Sequence, residues 1–343
     1  MTDIGSPSVR IGLIGAGRIG AHHATALARH VPAADLVAVA DVLEQSADRL
    51  AGDLGVPAAG IDALMADEAV EAVVITASST AHAALVQQAA AAGKAVFCEK
   101  PMAMSLADFD TAITACEKAG VALQVGFNRR FADDFAAAHA VIASGGIGRP
   151  QLLRSLTRDP GLSDPGAVAP WTIFTQTLIH DFDTLLWLNP GAAAVEVHAF
   201  ADALVAPEYK DAGLLDTALV TIRFDNGALA TAEASFSAAY GYDVRGEVFG
   251  SAGMVTMGSP APQTMQHWTA DGACRRTVRS DTALLHDAYV GELAAFCDTV
   301  RHGSPVPVGG ADAKAAFEIA LAAIASVERA AAVHVEDVSA GIA

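Results

Sequence analysis

Basic residues are scarce in this chain. Of its 343 residues, 21 are Lys or Arg against 39 Asp or Glu, a formal net charge of −18. A nucleic-acid backbone or an anionic bilayer calls for a positive face, so neither partner is expected. Long apolar runs are missing too. No stretch of 18 uninterrupted apolar residues occurs, because Asp, Glu, Gln or Lys break the alanine-rich segments, so no membrane-spanning helix is expected. The opening MTDIGSPSVR has no basic region followed by an apolar one, and no export leader is expected. The four cysteines, Cys98, Cys116, Cys274 and Cys297, form no CxxC pair. A zinc cluster is therefore not expected, and a reducing, cytoplasmic location fits. What is present is apolar material for sizeable cores, 52% hydrophobic against 17% charged residues, at a length that suggests two domains.

The first third alternates between two periodicities. Val9-Arg-Ile-Gly-Leu-Ile14 is a short apolar strand leading into Gly15-Ala-Gly-Arg-Ile-Gly20, followed by a helix over 21–29 and a second strand over 35–40 that ends at Asp41. Each part has a physical role in a dinucleotide site. Gly15 permits the tight turn, Gly17 lets backbone approach a pyrophosphate, and Gly20 lets the helix pack closely on the strand. The helix N-terminus offers free N–H groups and the positive end of its dipole. Asp41 can accept hydrogen bonds from a ribose diol. It would repel a 2′-phosphate, and Val42-Leu43-Glu44-Gln45 supplies no arginine to compensate, so NAD is expected over NADP. Further strands over 69–75, 94–98 and 121–126 alternate with helices over 82–92 and 105–119. Ser105 is the expected cap of the second of these, with Asp108 as its partner. This pattern predicts a doubly wound parallel sheet, with ligands at the carboxyl ends of its strands. The small residues after the strand over 69–75, including Ala77 and Ser78, suit a cofactor edge. The strand AVFC ends there on Glu99-Lys100-Pro101. Read alone, Glu99 and Lys100 are an exposed ion pair; in a parallel sheet they stand at the ligand edge.

Several of these segments together resemble a known family. They are Gly15-Ala-Gly-Arg-Ile-Gly20, Asp41, Cys98-Glu-Lys-Pro101, Gln124-Val-Gly-Phe-Asn-Arg-Arg-Phe131 and Ile179-His-Asp-Phe-Asp183. They resemble the family of glucose–fructose oxidoreductase, inositol dehydrogenase and rhizopine-catabolism proteins. Within it the chain is most similar to the inositol 2-dehydrogenase branch, through Leu215–Phe224 and Tyr240–Met254. The resemblance implies an NAD-binding Rossmann domain and a second α+β domain with an open, mostly antiparallel sheet. It also implies a homo-tetramer formed through the outer face of that sheet, and a cis bond before Pro101.

The rhythm does change near residue 128, giving expected domains at 1–127 and 128–343, with the C-terminal helix a candidate to return to the first. A helix is expected over 132–144, then a strand over 151–157, a Pro- and Gly-rich loop over 158–166 and a helix over 177–188. Period-two strands follow over 194–200, 218–224, 228–236 and 244–249, with Asp225-Asn-Gly227 as a hairpin signal, then helices over 285–300 and 311–330.

Oxidising a secondary alcohol moves a hydride from carbon and a proton from oxygen, and a positioned base eases the second event. A helical histidine such as His180, read alone, is more often packed or solvated than catalytic. In the family motif it is the general base, and its natural titration range suits both directions of reaction. Lys100 is expected to polarise the substrate oxygen and relay the proton. The family places an aspartate four residues before the histidine; here that residue is Gln176, which can orient the imidazole or bind a hydroxyl but carries no charge. Ala169-Pro-Trp-Thr172 replaces the family's upstream glycine pair, so Trp171 is either core or an apolar wall for a sugar ring.

The expected cofactor residues are Gly15, Gly17, Arg18, Ile19, Gly20, Asp41, Val42, Ala77, Ser78, His82, Glu99, Lys100 and Arg129. The expected substrate residues are Lys100, Asn128, Arg158, Asp159, Trp171, Gln176, His180 and Tyr240. Asn128, Arg129, Arg158, Asp159 and Tyr240 are equally readable as surface or turn residues. His22-His23 looks like a metal pair but reads better as the first turn of the Rossmann helix, and no metal is expected. The leading expectation is an NAD-dependent dehydrogenase of a cyclitol (myo- or scyllo-inositol) or pyranose. The alternatives are a sugar–sugar oxidoreductase with tightly held NAD(P) and a non-catalytic NAD-binding relative.

Overall fold

The computed structural model describes residues 8–162, 164–261 and 265–340. Residues 1–7, which carry most of the expectation about a leader, lie outside these. The chain forms β1 Val9–Ile14, α1 Arg18–Arg29, β2 Ala34–Ala40, α2 Glu44–Leu54, β3 Ala58–Ala59, α3 Ile61–Ala66, β4 Ala72–Ile75, α4 Ser79–Ala91, β5 Ala95–Glu99, α5 Leu106–Ala119 and β6 Leu123–Gly126. It continues with α6 Asp133–Ala143, β7 Pro150–Arg158, a π-helical turn Ile173–Leu178, α7 Ile179–Trp187, β8 Ala194–Asp202, β9 Thr217–Phe224, β10 Leu229–Ser235, β11 Asp243–Gly250 and β12 Gly253–Met257. A small ribbon β13 His267–Thr269 and β14 Gly272–Cys274 follows, then α8 Asp281–Leu284, α9 His286–His302, α10 Gly310–Arg329, β15 Val333–His334 and α11 Val335–Ser339. Two compact units result. One joins the chain up to Asn128 with Asp287–Lys314; the other joins Arg129–His286 with the chain from Ala315 on.

The first unit holds the parallel sheet, in the order β3-β2-β1-β4-β5-β6. The order reverses at β1, which pairs with both β2 and β4, and this is where a doubly wound sheet opens a ligand crevice. The strands end level. Ile14 stands opposite Ala40 and Ile75, Ile75 opposite Cys98, and Cys98 opposite Val125. The next residue of each strand, Gly15, Asp41, Thr76, Glu99 and Gly126, therefore lies in one row along the carboxyl edge. The strands are buried almost throughout, as their near-continuous Val, Ile, Leu and Ala runs require. Phe97 of β5 packs edge-to-face on Phe296 of α9, with ring centroids 5.9 Å apart, and both are wholly buried. Burial of such rings, each worth about 1.5–3 kcal/mol, attaches α9 to this unit. Ser105 caps α5 as expected: its hydroxyl accepts from the Asp108 N–H at 3.2 Å and donates to the Asp108 carboxylate at 2.7 Å.

The second unit carries a seven-stranded sheet in the order β12-β11-β7-β10-β9-β8-β15. Only β7 and β10 run parallel; every other neighbouring pair is antiparallel, in line with the open, mostly antiparallel expectation. Asp225-Asn226-Gly227 turns β9 into β10, with Gly227 at φ +86°. The α7 helix is tied to β7 by buried polar groups. Arg129 Nη1 donates to Asp181 Oδ1 at 2.7 Å, the Ser155 hydroxyl donates to the same oxygen at 2.5 Å, and the Thr157 hydroxyl donates to Oδ2 at 2.6 Å. Arg130 makes a second, bidentate pair with Asp183 at 2.6 and 3.0 Å. Among the described residues, no helix is long and apolar enough to cross a membrane.

Arg129 and Asp181 are 3% and 0% exposed at their side chains. Removing one partner of such a pair strands a buried charge. Arg129→Met is expected to cost about 3–5 kcal/mol in urea unfolding; a loss under about 1 kcal/mol would show that the network does not hold α7.

Candidate active site

The glycine turn is built for close approach. Gly15 has φ +108°, and a Cβ there would lie 2.5 Å from the Ala77 nitrogen. A Cβ at Gly20 would lie 1.8 Å from the Gly15 carbonyl oxygen. A Cβ at Gly17 would meet nothing within 4 Å. The α1 helix starts three residues earlier than the sequence suggests, inside the glycine motif, because Gly17 is its N-cap and makes no side-chain cap bond. Arg18 is exposed and Ile19 half-buried on its first turn. The Asp41 carboxylate orders two neighbouring loops, accepting from the Ala16 N–H at 2.6 Å and the Leu43 N–H at 2.8 Å. Val42 beside it is 83% exposed. Across the switch point, the Thr76 hydroxyl donates to the Gly15 carbonyl at 2.8 Å, leaving Ala77 half-buried and Ser78 exposed. An open, uncapped helix start, an acid at the neighbouring strand end and a side-chain-free turn fit a dinucleotide pyrophosphate and ribose.

The β5 end is more enclosed. The Glu99 carboxylate is buried, with Oε1 2.6 Å from His23 Nε2 and Oε2 accepting from the Lys100 N–H at 3.1 Å. Burial alone would raise this carboxyl. The hydrogen bond and field of His23, then the Lys100 charge and N–H, outweigh burial and hold Glu99 below the usual carboxylate range. His23 Nε2 is therefore the donor in this pair. Lys100 is half-buried, and the Lys100–Pro101 peptide is cis. His82 is buried under the turn, with Nδ1 2.8 Å from the Pro101 carbonyl and Nε2 2.9 Å from the Ala77 carbonyl. It thus links the ends of β4 and β5. Asn128 is buried at the close of the unit.

In the second unit, His180 is half-buried in the first turn of α7, and its carbonyl accepts from Thr184 Oγ1 at 2.7 Å. Sequence periodicity predicts a regular helix here from 177. Instead a π-helical turn, Ile173–Leu178, which includes Gln176, runs directly into α7 at Ile179. Trp171 opens that turn at φ +64°, a left-handed conformation uncommon for a large side chain, and lies tilted against Phe174. Arg158 and Tyr240 share a polar cluster. Arg158 Nη2 donates to Glu233 at 3.0 Å and the Tyr240 hydroxyl donates to Asp243 at 2.6 Å, and the Tyr240 hydroxyl is also hydrogen-bonded to Arg158. Asp159 hydrogen-bonds Tyr242, whose phenol is pushed well up, chiefly by burial and then by the Asp159 charge. Arg129 is committed to Asp181 and Thr157 in the interior. A residue sequence reasoning missed is Glu292 of α9, which converges on His23 and Glu99. Its only sequence signal is an acid inside the apolar stretch GELAAF.

Residues 9–127 match the oxidoreductase family with an NAD-binding Rossmann fold, and residues 135–256 match the GFO/IDH/MocA C-terminal domain. The chain is 38% identical over 334 residues to the myo-inositol 2-dehydrogenase of Thermotoga maritima, covering 96% of this chain and 99% of that one. It belongs to the GFO/IDH/MocA oxidoreductase family. This GFO/IDH/MocA protein is also 34% identical to the scyllo-inositol 2-dehydrogenase (NAD⁺) of Bacillus subtilis, over 92% of its own length and 93% of that relative. Its fold is similar to the scyllo-inositol dehydrogenase of Lactobacillus casei, a structure with bound NAD(H) and scyllo-inositol, at TM-score 0.91 and 26% identity, covering 96% of this chain and 99% of that one. It is an oxidoreductase whose cofactor is NAD.

The two glycines separate packing from binding. Gly20→Ala is expected to lose about 3 kcal/mol in urea unfolding, because the added carbon meets fixed backbone. Gly17→Ala is expected to change stability by less than about 0.5 kcal/mol and to weaken NAD binding instead. Equal effects of both substitutions on stability would contradict this geometry.

Proposed function

We propose that the protein oxidises a secondary hydroxyl of a cyclitol, myo- or scyllo-inositol, or of a pyranose sugar. The observation that carries the reading is Lys100, placed one residue beyond β5 at the carboxyl edge of the parallel sheet, its N–H fixed to Glu99. The inositol dehydrogenases it resembles over almost their whole length support the substrate class.

Oxidation takes a hydride from the carbinol carbon and a proton from its oxygen. When bound, NAD supplies the hydride acceptor. Gly15, Gly17 and Gly20, with the α1 N-terminus including Arg18 and Ile19, hold its pyrophosphate. Asp41 and Val42 hold the adenosine ribose end, and Ala77 and Ser78 line the edge; His82 and Glu99 act from behind, setting the turn that carries Lys100. Lys100 polarises the substrate oxygen and relays its proton; His180 is the general base that accepts it. Gln176, lacking charge, orients the imidazole or binds a second hydroxyl. Trp171 gives the ring an apolar wall, and Asn128, Arg158, Asp159 and Tyr240 are candidates for the remaining hydroxyls. Arg129 is assigned to holding α7 in register, and through it His180.

The outer face of the seven-stranded sheet supports a homo-tetramer. Leu152, Phe200, Leu219, Leu229 and Phe249 are all at least 44% exposed on it, around a shallow cavity of about 530 Å³ lined by Leu152, Arg154 and Leu229 among others. A cytoplasmic setting agrees with free thiols at Cys98, Cys116, Cys274 and Cys297.

Purified protein with NAD and a panel of cyclitols and sugars is expected to produce NADH absorbance. Lys100→Ala is expected to lower kcat by about 10²–10⁴-fold, the usual worth of a proton-handling group. A variant with full turnover would remove Lys100 from the mechanism.

A further inference from the structure

Three ionisable side chains meet inside the first unit: His23 from α1, Glu99 from β5 and Glu292 from α9. One ligating atom from each lies within 4.8 Å of the others. Glu292 is 0% exposed, and neither of its carboxyl oxygens has a hydrogen-bond partner among the described residues. The helix is pinned at this point, since Gln124 Nε2 donates to the Glu292 backbone carbonyl at 2.8 Å. An ionised carboxylate here would carry a large desolvation penalty, with no donor to offset it and a second carboxylate close by. Either a cation or a proton would relieve it. The spacing distinguishes them. Zinc–ligand distances of about 2.0–2.2 Å put neighbouring tetrahedral donors more than about 3 Å apart. His23 Nε2 and Glu99 Oε1 are 2.6 Å apart, the length of a charge-assisted hydrogen bond and too short for two arms on one ion.

We propose that Glu292 keeps its proton in the folded protein, so that only Glu99 of the two buried carboxyls is ionised, and that Glu292 thereby acts as a positioning residue for Lys100. Glu99 is then held by His23 on one oxygen and by the Lys100 N–H on the other. The titratable groups around the trio include the Cys98 thiol of β5, pushed well up by burial and then by the Glu99 charge, and His22 of α1, its ring 6.3 Å from that of His23. Glu99 faces Glu292 from β5 and His23 comes from α1, its ring 5.5 Å from that of Tyr289 on α9, and the Lys100 charge acts on Glu99. Burial first, and the Glu99 charge second, push the Glu292 carboxyl well above its ordinary range, in agreement with the geometry. A second negative charge here would compete with Glu99 for His23 and tighten the hold on the Lys100 ammonium. That consequence for catalysis rests on the role proposed for Lys100; the protonation of Glu292 does not.

The sign of the pH effect follows. The unfolded chain releases this proton in the ordinary carboxyl range, whereas the fold retains it to higher pH. Glu292 therefore subtracts stability increasingly as pH rises from the ordinary carboxyl range toward its raised folded value. Glutamine cannot ionise and removes the penalty. Infrared spectra of the full chain at neutral pH are expected to show the carbonyl stretch of a protonated carboxyl, lost in Glu292→Gln. That variant is expected to melt above wild type, by a margin that widens from acid to alkaline pH. Added zinc is expected not to bind stoichiometrically. For the positioning role, Glu292→Ala is expected to lower kcat more than it changes KM, with Gln restoring kcat. The proposal is overturned by absence of the band, by a Gln variant that melts lower at neutral pH, by stoichiometric zinc that Glu292→Gln abolishes, or by a Gln variant as slow as Ala. The infrared result stands whether or not Lys100 proves catalytic, so the two readings fail separately.

Discussion

The hydrogen bond from His23 to Glu99 is the constraint on which the edge of the first sheet depends. It takes the carboxylate at the end of β5 out of solvent and leaves its second oxygen to fix the backbone of Lys100. The turn that follows is held from the other side by His82, which faces the Pro101 carbonyl with one ring nitrogen and the Ala77 carbonyl with the other. The charged pair that ends an apolar strand is thus an asymmetric device. Glu99 faces inward and is committed; Lys100 is held by its backbone N–H, and its half-buried side chain is the one proposed to act. A protonated Glu292 behind Glu99 keeps the negative charge at that point to one.

The second unit solves the same problem with different parts. His180 directly precedes two acids, Asp181 and Asp183, each consumed by an arginine from the segment that follows β6. The acids fix the rotation of α7 about its axis, so the histidine just before them is presented from a rigid element. The π-helical turn and the left-handed Trp171 precede it directly. Irregular backbone is concentrated where the candidate substrate residues Trp171 and Gln176 lie, while the strands and helices around it are regular. Strain placed beside a rigid scaffold is the arrangement expected of a site shaped for one ligand.

Local signals carried much of this into the sequence. The glycine motif, Asp41 and the strand ends are legible because each role is played by neighbouring residues, and the family resemblance rests on the same stretches. The α2 helix left a readable trace as well, in the apolar spacing of Ala47, Leu50 and Ala51. What sequence could not display is convergence. Glu292 reaches Glu99 only because α9 packs through Leu293 and Phe296 onto the core of the first unit, and periodicity says that a helix has a buried face without saying against what. Arg129 likewise reads as a cofactor or surface residue until β7 and α7 surround it. The π turn is invisible for another reason: no residue type in Ile173–Leu178 marks a π-helical over an α-helical turn.

The central claim is that a carbon-bound hydrogen of a polyol passes directly to NAD. Incubating the enzyme with NAD and inositol carrying deuterium on every carbon, then weighing the reduced cofactor by mass spectrometry, tests it most directly. The account predicts NADH heavier by one deuterium, formed at the rate of substrate loss. Unlabelled NADH, or deuterium appearing in water instead, would contradict it.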